Sequence, residues 1–309
     1  MRLGLDVGGT KTDAVAVAPN GTIVARTRLA TGWGPDAVVQ TILAAVSSLQ
    51  ADPALTAADV RSVGIGIPGR IEPGSGRVEH AVNLGVETLD LAAAVAPVLG
   101  VPVRVENDVK AAALGAASLR GGTLSMGYLN LGTGIAAAIV TGGVLWRGAR
   151  GGAGEIGHLS IDPAGPVCRC GQRGCIEALA GGGAVSARWG RPGALPIRDV
   201  FDAADGGDAA AVLVRTDLAR GVAAAIRVLV LTADVDTVVL GGGITALGTR
   251  LQSEVAAQLE VSARESAFLR SLQLVDRVEI LPAGAPAAAL GAALIGTEAA
   301  DEREVLSHG

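Results

Sequence analysis

The chain of 309 residues is poor in aromatic side chains and in lysine. Tryptophan, tyrosine and phenylalanine together make up 2% of the sequence, whereas hydrophobic residues make up 50%, which is ample for a large core. The length suggests about two domains. The net charge is −5 and no basic block or stripe is present, which argues against a nucleic-acid partner. The only lysines, Lys11 and Lys110, both lie in motifs described below.

The sequence also lacks a long hydrophobic run. Asp6 follows the first residue so closely that we expect no signal peptide, because its apolar region would not fit. The longest apolar run of the C-terminal half, 222–233, is interrupted by Arg227 and is too short to cross a bilayer. We therefore expect a soluble, cytoplasmic protein without a membrane partner.

Cysteine is scarce, and the three residues present lie within the window 168–175. An odd number does not suit a disulfide framework, and clustered thiols fit a reducing compartment. One of only three histidines lies just upstream. Three thiolates and an imidazole are a complete ligand set for a closed structural zinc site. The predicted ligands are His158, Cys168, Cys170 and Cys175.

One pattern occurs twice in the chain: a strand, then a turn of glycine and threonine, then a second strand. The first copy begins at Leu3 and the second at Tyr128, and Asp6 aligns with Asn130 at an offset of 124 residues between positions 6 and 130. The rest of the chain alternates predicted strands and helices, which indicates an α/β fold. Two related halves imply two lobes around a cleft, with a boundary near positions 121–122 and a ligand site in the cleft.

Three glycine turns are candidate nucleotide sites. Glycines allow backbone N–H groups to approach a phosphate, and a threonine hydroxyl can donate to its oxygens. Asp6 at the first turn could reach Mg²⁺ through water. Alone, each turn would suit a plain hairpin or close helix packing, but two related copies can hold one polyphosphate. The candidate residues are Asp6, Gly8, Gly9, Thr10 and Lys11, then Gly132, Thr133 and Gly134, and finally Gly241, Gly242 and Gly243.

The polar run Glu106-Asn107-Asp108 lies where a predicted strand meets a predicted helix. Asn and Asp are ordinary residues at a helix N-terminus, so a capping role explains them. The same position stabilises an ionised carboxylate, which could accept a proton from a hydroxyl nucleophile. The spacing does not choose between a cap and a general base.

These motifs, in this order, resemble those of the ROK family of sugar kinases and repressors. The resemblance runs from about Gly4 to Gly291, and the cysteine motif with its adjoining Glu177 is its most specific part. It implies a duplicated, actin-like (ribonuclease H-like) ATPase fold and a homodimer or homotetramer. The N-terminal lobe would comprise 1–120, completed by a C-terminal helix at 285–298, and the C-terminal lobe, with the zinc motif, would comprise 121–284.

The resemblance also implies roles for single residues. Asp108 would be the general base that takes the proton of the attacking sugar hydroxyl. ATP, Mg²⁺ and structural Zn²⁺ would be the cofactors. His158 would be both a zinc ligand and a sugar contact. The sugar contacts would be Gly69, Asn83, Asn107, Asp108, Glu155, His158 and Glu177.

Two positions depart from the family pattern. Ala136 and Ala137 replace glycines that usually follow the second turn, and their methyl groups would narrow the approach to the phosphates. Lys110 replaces a small or amide residue one turn from the base. Its charge could lower the pKa of Asp108, but we expect its side chain to point to solvent.

The resemblance leaves several functions open. The first is an ATP-dependent hexose kinase of the glucokinase type, and the second is an N-acetylmannosamine or N-acetylglucosamine kinase. Gly69-Arg70 is similar to the Gly-Arg pair of N-acetylmannosamine kinases. ROK repressors carry a DNA-binding module before this body, and the first hairpin begins here at residue 3, so we expect none. A third possibility is a non-catalytic sugar sensor.

Overall fold

The computed structural model describes residues 1–55, 60–72, 74–121 and 125–296. Position 122 of the expected lobe boundary and positions 297–298 of the expected C-terminal helix lie outside these residues. Within them the chain alternates strands and helices, as the sequence predicts. Of the helices in this described part, none combines the length and apolar character that a membrane crossing requires.

The secondary structure follows in chain order. Up to residue 121 the elements are β1 (Arg2–Val7), β2 (Lys11–Val17), β3 (Ile23–Ala30), α1 (Pro35–Gln50), β4 (Ser62–Ile67), β5 (Arg70–Ile71), β6 (Arg77–Ala81), β7 (Val86–Asp90), α2 (Leu91–Leu99), β8 (Val103–Asn107) and α3 (Asp108–Leu119). From residue 125 they are β9 (Met126–Leu131), β10 (Ile135–Thr141), β11 (Val144–Leu145), α4 (Ile176–Ala180), α5 (Gly182–Trp189), α6 (Pro196–Asp205), α7 (Ala209–Ala233), β12 (Thr237–Gly241), α8 (Thr249–Glu265), α9 (Ala267–Ser271), β13 (Val278–Ile280) and α10 (Ala287–Ile295).

The described residues form two compact units. The first comprises those of Met1–Thr123, Gly142–Ala153 and Pro286–Gly309, and the second those of Leu124–Thr141 and Gly154–Ala285. The segment 142–153 therefore groups with the first unit, although the boundaries expected from sequence would assign it to the second half. Its contacts with the start of α3 explain this grouping and are described with the site.

The first unit contains a five-stranded sheet in the order β3-β2-β1-β4-β8. Successive side chains of a strand point to opposite faces. Leu3 and Leu5 of β1 belong to the core beneath α1, whereas Val15 and Val17 of β2 pack against α10. Both faces are covered at the centre of the sheet, so β4 is buried along its whole length. Gly4 lies so close to α10 that a Cβ atom there would overlap its backbone.

A small second sheet in the first unit carries one predicted site residue. Strands β5, β6 and β7 pair in antiparallel fashion, and a 3-10 turn, Val82–Leu84, connects β6 to β7. Asn83 occupies the middle of this turn and is exposed. No pattern in the sequence predicted these three strands.

The second unit repeats the hairpin of the first. Strands β9 and β10 occupy the positions of β1 and β2 displaced by the predicted 124 residues, and β9 pairs in parallel with β12 as β1 does with β4. The registers differ by one residue. Val7 pairs with Thr12 across the first turn, whereas Leu131 pairs with Ile135 across the second. The first turn thus has four residues between its paired ends, and the second has three.

Candidate active site

The first glycine turn closes the hairpin of β1 and β2. The N–H of Gly8 donates to the carbonyl oxygen of Lys11 at 2.9 Å, which fixes the turn. The side chains of Thr10 and Lys11 are exposed. A turn of this kind offers backbone N–H groups, a hydroxyl and a cationic side chain to a phosphate.

Asp6 lies on β1 just before this turn and has a perturbed pKa. Burial raises the pKa of its carboxyl most strongly, the charges of Asp108 and Asp13 raise it as well, and the charge of Lys11 lowers it. Together these effects move the pKa from 3.8 to about 7. Asp6 and Asp108 therefore interact electrostatically, so the first unit brings the residue at the turn and the predicted base into one environment.

The first turn also contacts the 3-10 turn that carries Asn83. A Cβ atom added at Gly9 would lie 2.8 Å from the carbonyl oxygen of Asn83, closer than such atoms approach in folded proteins. Glycine at this position therefore permits the two turns to pack together. Asn83, a predicted sugar contact, lies directly beside a predicted phosphate turn.

Asn107 caps α3, and Asp108 is the first residue of that helix. The Asn107 side-chain oxygen accepts hydrogen bonds from the N–H groups of Val109 at 3.0 Å and Lys110 at 3.2 Å. Its amide nitrogen donates to the carbonyl oxygen of Gly69 at 3.1 Å. The structure thus brings together three predicted sugar-site residues, Gly69, Asn107 and Asp108, and the capping role of Asn107 is real.

Lys110 does not point to solvent, and our expectation that it would was wrong. Its side chain is buried, with the residue 6% exposed, and its Nζ donates to the carbonyl oxygen of Gly151. A buried ammonium requires such an acceptor because it has left water. Glu106 is buried as well and binds Arg147 Nε at 2.6 Å. These two contacts tie the segment 142–153 to the first unit.

The second glycine turn is held by the segment that follows the cysteine motif. The N–H of Gly132 donates to the carbonyl oxygen of Gly134 at 3.1 Å. Glu177 Oε2 accepts the N–H of Ile135 at 3.0 Å. The N–H of Gly182 donates to the Gly132 carbonyl oxygen at 2.9 Å. Glu177, a predicted sugar contact, therefore also supports the predicted phosphate turn.

The two alanines after this turn differ in their environment. Ala137 is 3% exposed and its side chain belongs to the hydrophobic core of the second unit. Its methyl group is therefore turned into the protein. Ala136 is only partly buried and pairs with Asn130 on β9.

Two glycines of the third turn have packing reasons of their own. A Cβ atom at Gly241 would overlap the Tyr128 hydroxyl. Gly242 has a φ of 88°, and a Cβ atom there would lie 2.5 Å from the Leu131 carbonyl oxygen. Gly243 has open space where its side chain would be. The next helix, α8, begins only at Thr249, after a 3-10 turn, Gly243–Leu247.

The predicted metal ligands form one cluster in the second unit. The ligand atoms of His158, Cys168, Cys170 and Cys175 all lie within 4.8 Å of one another. Cys170 Sγ is 3.7 Å from Cys175 Sγ, and Cys168 Sγ is 3.9 Å from His158 Nδ1. Tetrahedral zinc with bonds of about 2.3 Å holds its sulfur ligands about 3.8 Å apart. The donor set and its spacing fit zinc.

The cysteine environments differ in polarity. Hydrogen bonds from the backbone and side chain of Gln172 lower the pKa of the Cys170 thiol to about 6. Burial raises the pKa of the Cys175 thiol to about 12. Gln172 also donates to the His158 carbonyl oxygen at 3.1 Å, so one amide orients two of the four predicted ligands.

Glu155 and His158 border a 3-10 turn, Ile156–His158, that follows β10 in the second unit. The N–H of His158 donates to the Glu155 carbonyl oxygen at 3.2 Å, and the Glu155 side chain is exposed. With Nδ1 facing Cys168, the histidine ring keeps Nε2 for another partner. This arrangement suits a residue that is both ligand and sugar contact.

The sequence profile of the ROK family matches residues 2–298. The chain belongs to the ROK family. It is 30% identical over 282 residues to the glucokinase of Halalkalibacterium halodurans, an alignment that covers 84% of this chain and 86% of that protein. It is 34% identical over 253 residues to the N-acetylmannosamine kinase of Escherichia coli, with coverage of 78% and 82%.

Solved structures of ROK proteins are also similar. A ROK hexokinase from Thermus thermophilus matches with a TM-score of 0.82 and 31% identity, over 97% of this chain and 99% of that one. A ROK family glucokinase from Streptomyces griseus in complex with glucose and AMPPNP matches with a TM-score of 0.76 and 28% identity, over 96% and 99%. The predicted family and the predicted duplicated, actin-like α/β fold are confirmed.

Sequence reasoning missed the partners of the junction between β8 and α3. Arg147 and Gly151 were not singled out, and no local pattern links them to Glu106 and Lys110, because 41 residues separate the members of each pair. The scarcity of lysine was the only available signal. Lys110, one of only two lysines in this ROK protein, is buried at this junction.

Proposed function

We propose that this ROK protein is an ATP-dependent sugar kinase that transfers the γ-phosphate of ATP to a hydroxyl group of a hexose, with glucose as the first candidate. The observation that carries the proposal is the junction of β8 and α3. There Asp108 begins a helix, Asn107 caps it, and Asn107 is anchored to Gly69. The similarity to a glucokinase and to an N-acetylmannosamine kinase supports the same reaction class.

In this reaction Asp108 acts as the general base. A sugar hydroxyl oxygen attacks the γ-phosphorus and forms a new P–O bond, the bond from that phosphorus to the β,γ-bridging oxygen breaks, and ADP leaves. The proton of the hydroxyl passes to the Asp108 carboxylate. A helix N-terminus favours the ionised carboxylate that this step needs.

Phosphoryl transfer depends mainly on positioning and on neutralisation of charge. The turns at 8–11 and 132–134 are proposed to bind the phosphates through backbone N–H groups, and Gly243 to leave open space for the nucleoside. Bound Mg²⁺ would neutralise phosphate charge, and Asp6 would hold it through water. Asn83, Asn107, Glu155, His158 and Glu177 are the proposed hydrogen-bonding partners of the sugar.

The cysteine cluster is proposed to bind one structural Zn²⁺. Its four ligands are all supplied by the protein, so the site is of the closed type, which supports a fold rather than a reaction. In the second unit the metal would fix the ring of His158 and the start of α4, which carries Glu177. Zinc would therefore act through the orientation of residues proposed to bind the sugar.

A second candidate substrate is an N-acetylated hexosamine. The observation that favours it is Arg70, which follows Gly69 and has a side chain 61% exposed beside Glu79. An exposed guanidinium next to a sugar-site residue can donate to the carbonyl group of an acetamide. The relationship to an N-acetylmannosamine kinase agrees with this alternative.

We also propose a homodimer or homotetramer that works in the cytoplasm. The location is supported by the cysteine cluster, because free thiolates persist as metal ligands in a reducing compartment. The assembly is an expectation from the family resemblance. Light scattering coupled to size-exclusion chromatography would measure it, and a monomer at micromolar concentration would refute it.

The test is an assay of ADP formation with Mg²⁺ and ATP across glucose, mannose, fructose, N-acetylmannosamine and N-acetylglucosamine. It compares the wild-type protein with Asp108→Asn and with Asp36→Asn. Asp36 is a matched control because it lies in the first turn of α1 and is exposed. We expect turnover of one sugar, a loss of about 10²–10⁴-fold in Asp108→Asn and wild-type rates in Asp36→Asn.

Two results would contradict the proposal. Turnover that survives in Asp108→Asn would remove the assigned base. Sugar binding by calorimetry without turnover of any sugar would leave a sensor that retains the fold and lacks the chemistry. A preference for N-acetylmannosamine that is lost in Arg70→Gln would instead select the second candidate.

A further inference from the structure

Glu106 precedes Asn107-Asp108, Lys110 follows two residues after Asp108, and both bind one other segment. Glu106 binds Arg147, and Lys110 binds the Gly151 carbonyl oxygen. Glu106 and Lys110 are each only 6% exposed. We refer to residues 147–153 as the clasp segment. It therefore contacts the chain both before and after the proposed base.

Both carboxylate oxygens of Glu106 accept hydrogen bonds. Its Oε1 accepts the N–H of Asn107 at 3.0 Å, and its Oε2 accepts Arg147 Nε at 2.6 Å. The Glu106 side chain is 8% exposed and that of Arg147 is 33% exposed. Arg147 thus fixes the place of the carboxylate that accepts the Asn107 N–H.

The clasp segment is also closed on itself. The N–H of Ala153 donates to the carbonyl oxygen of Arg147 at 3.3 Å, so the two ends of the segment meet. Lys110 donates to the carbonyl oxygen of Gly151, near the C-terminal end of this loop. A loop fixed at two points cannot shift with respect to the start of α3 without breaking a buried contact. The alternative, a loop that merely lies on the surface, would not bury Lys110.

We infer that Glu106, Arg147 and Lys110 are positioning residues that hold Asn107 and Asp108 in place for the reaction. This inference rests on the proposed kinase function. A general base works only within hydrogen-bonding reach of its proton, and a displacement of about 1 Å can reduce the rate about 100-fold. The clasp acts through Asn107, because Glu106 binds its N–H and Asn107 in turn caps α3 and binds Gly69.

The test compares Glu106→Gln, Arg147→Gln, Arg147→Lys, Lys110→Met and the double variant Glu106→Gln/Arg147→Gln. The control is Arg150→Gln, because Arg150 is an exposed arginine of the same segment. For each protein kcat and the KM values for sugar and ATP are measured. Thermal unfolding is recorded to separate inactivity from loss of the fold.

We expect Glu106→Gln and Arg147→Gln to lower kcat about 10–100-fold. The KM for ATP should stay near the wild-type value, and Arg147→Lys should recover part of kcat. The double variant should be no slower than the slower single variant, because the two residues act as a pair. Lys110→Met should lower kcat in the same way. Wild-type kcat in Arg147→Gln, or single losses that multiply in the double variant, would overturn the inference.

Hydrogen exchange of the peptide that spans 106–110 provides a measurement that needs no activity. The clasp predicts faster exchange in Arg147→Gln than in Arg150→Gln. If the wild-type protein phosphorylates no sugar, the proposed function fails, and this exchange alone decides whether the clasp holds the junction. Equal exchange in the two variants would overturn the clasp, whatever the activity.

Discussion

The carboxylate of Glu177 accepts a hydrogen bond from the backbone N–H of Ile135 at 3.0 Å. Ile135 directly follows the second glycine turn, and Glu177 lies two residues after Cys175. One side chain thus connects the end of the cysteine motif to the proposed phosphate turn. Within the second unit, the cysteine cluster and the glycine turn are therefore directly connected.

This contact predicts that Glu177 affects both substrates. Glu177→Ala should leave the Ile135 N–H without its acceptor, a loss of about 1–3 kcal/mol for a buried donor. We expect KM for ATP to rise about tenfold, along with KM for the sugar. Steady-state kinetics with each substrate varied in turn provides the measurement.

Two control variants separate the roles. Glu177→Gln keeps an oxygen acceptor for Ile135, so its KM for ATP should lie nearer the wild-type value. Glu155→Ala removes an exposed carboxylate that has no such bond to the turn, and it should raise only the KM for the sugar. An unchanged KM for ATP in Glu177→Ala would contradict the supporting role.

The cysteine cluster predicts one zinc per chain. Elemental analysis of the purified protein should give a zinc-to-chain ratio near one, and Cys170→Ser should lower it towards zero. Loss of the metal would also release Cys175, which begins the segment that carries Glu177. Cys170→Ser should therefore lose sugar turnover and unfold at a lower temperature. Arg169→Gln, a change at the neighbouring exposed residue, is the control. Full activity in a zinc-free variant would refute a structural role for the metal.

The raised pKa of Asp6 predicts an inverse dependence of stability on pH. In the folded state Asp6 keeps its proton up to a pH of about 7, whereas the ordinary value is 3.8. Between these values the unfolded chain binds fewer protons, so the free energy of unfolding falls as pH rises. Asp6→Asn removes this titration and should be more stable than the wild-type protein at pH 8, by an amount on the order of a few kcal/mol.

The difference should shrink as the pH is lowered from 7 towards 4, because the folded protein then protonates the Asp6 carboxyl and no longer holds a buried charge there. Thermal unfolding at pH 5 and pH 8, without ATP or added Mg²⁺, measures it, with Asp36→Asn as the control. Equal unfolding temperatures for wild type and Asp6→Asn at both pH values would contradict the assignment. The same variant should lack kinase activity, since Asp6 is proposed to hold Mg²⁺.

Local patterns predicted the parts of the site that local chemistry determines. The hairpins of β1–β2 and β9–β10 could be predicted because a turn of glycine and threonine interrupts an apolar run in each, and the two turns are 124 residues apart. The cap of α3 was visible because Asn107 has the side chain that accepts from the first N–H groups of a helix. The cysteine cluster needed only the spacing of its ligands along the chain.

Contacts between distant segments could not be predicted in the same way. No local pattern pairs Arg147 with Glu106, and Lys110 was expected in solvent because a lysine usually lies there. The strands that bracket Asn83 are short, and two of them, β6 and β7, carry charged residues that hide their alternation. Gly241 also has a packing reason that its own segment does not reveal, because a Cβ atom there would overlap the Tyr128 hydroxyl. Each of these features depends on packing that a single segment does not encode.

The segment 154–158, which carries Glu155 and His158, depends on two glycines that lie against β10. A Cβ atom at Gly157 would overlap the Ile135 carbonyl oxygen, and one at Gly154 would overlap that of Ala137. Gly157→Ala must therefore displace either the strand or the 3-10 turn, and we expect a loss of about 3 kcal/mol, the upper range for an overpacked site. Sugar binding should weaken as well, because Glu155 and His158 flank the displaced residue.

Gly152→Ala is the matched control for this last prediction. It is also a glycine in the chain just before the motif, but open space surrounds the position of its Cβ atom. Chemical denaturation and calorimetric titration with the sugar should therefore leave Gly152→Ala near wild type and Gly157→Ala impaired in both. Equal stability of the two variants would mean that the close approach of Gly157 to β10 is not what positions Glu155 and His158.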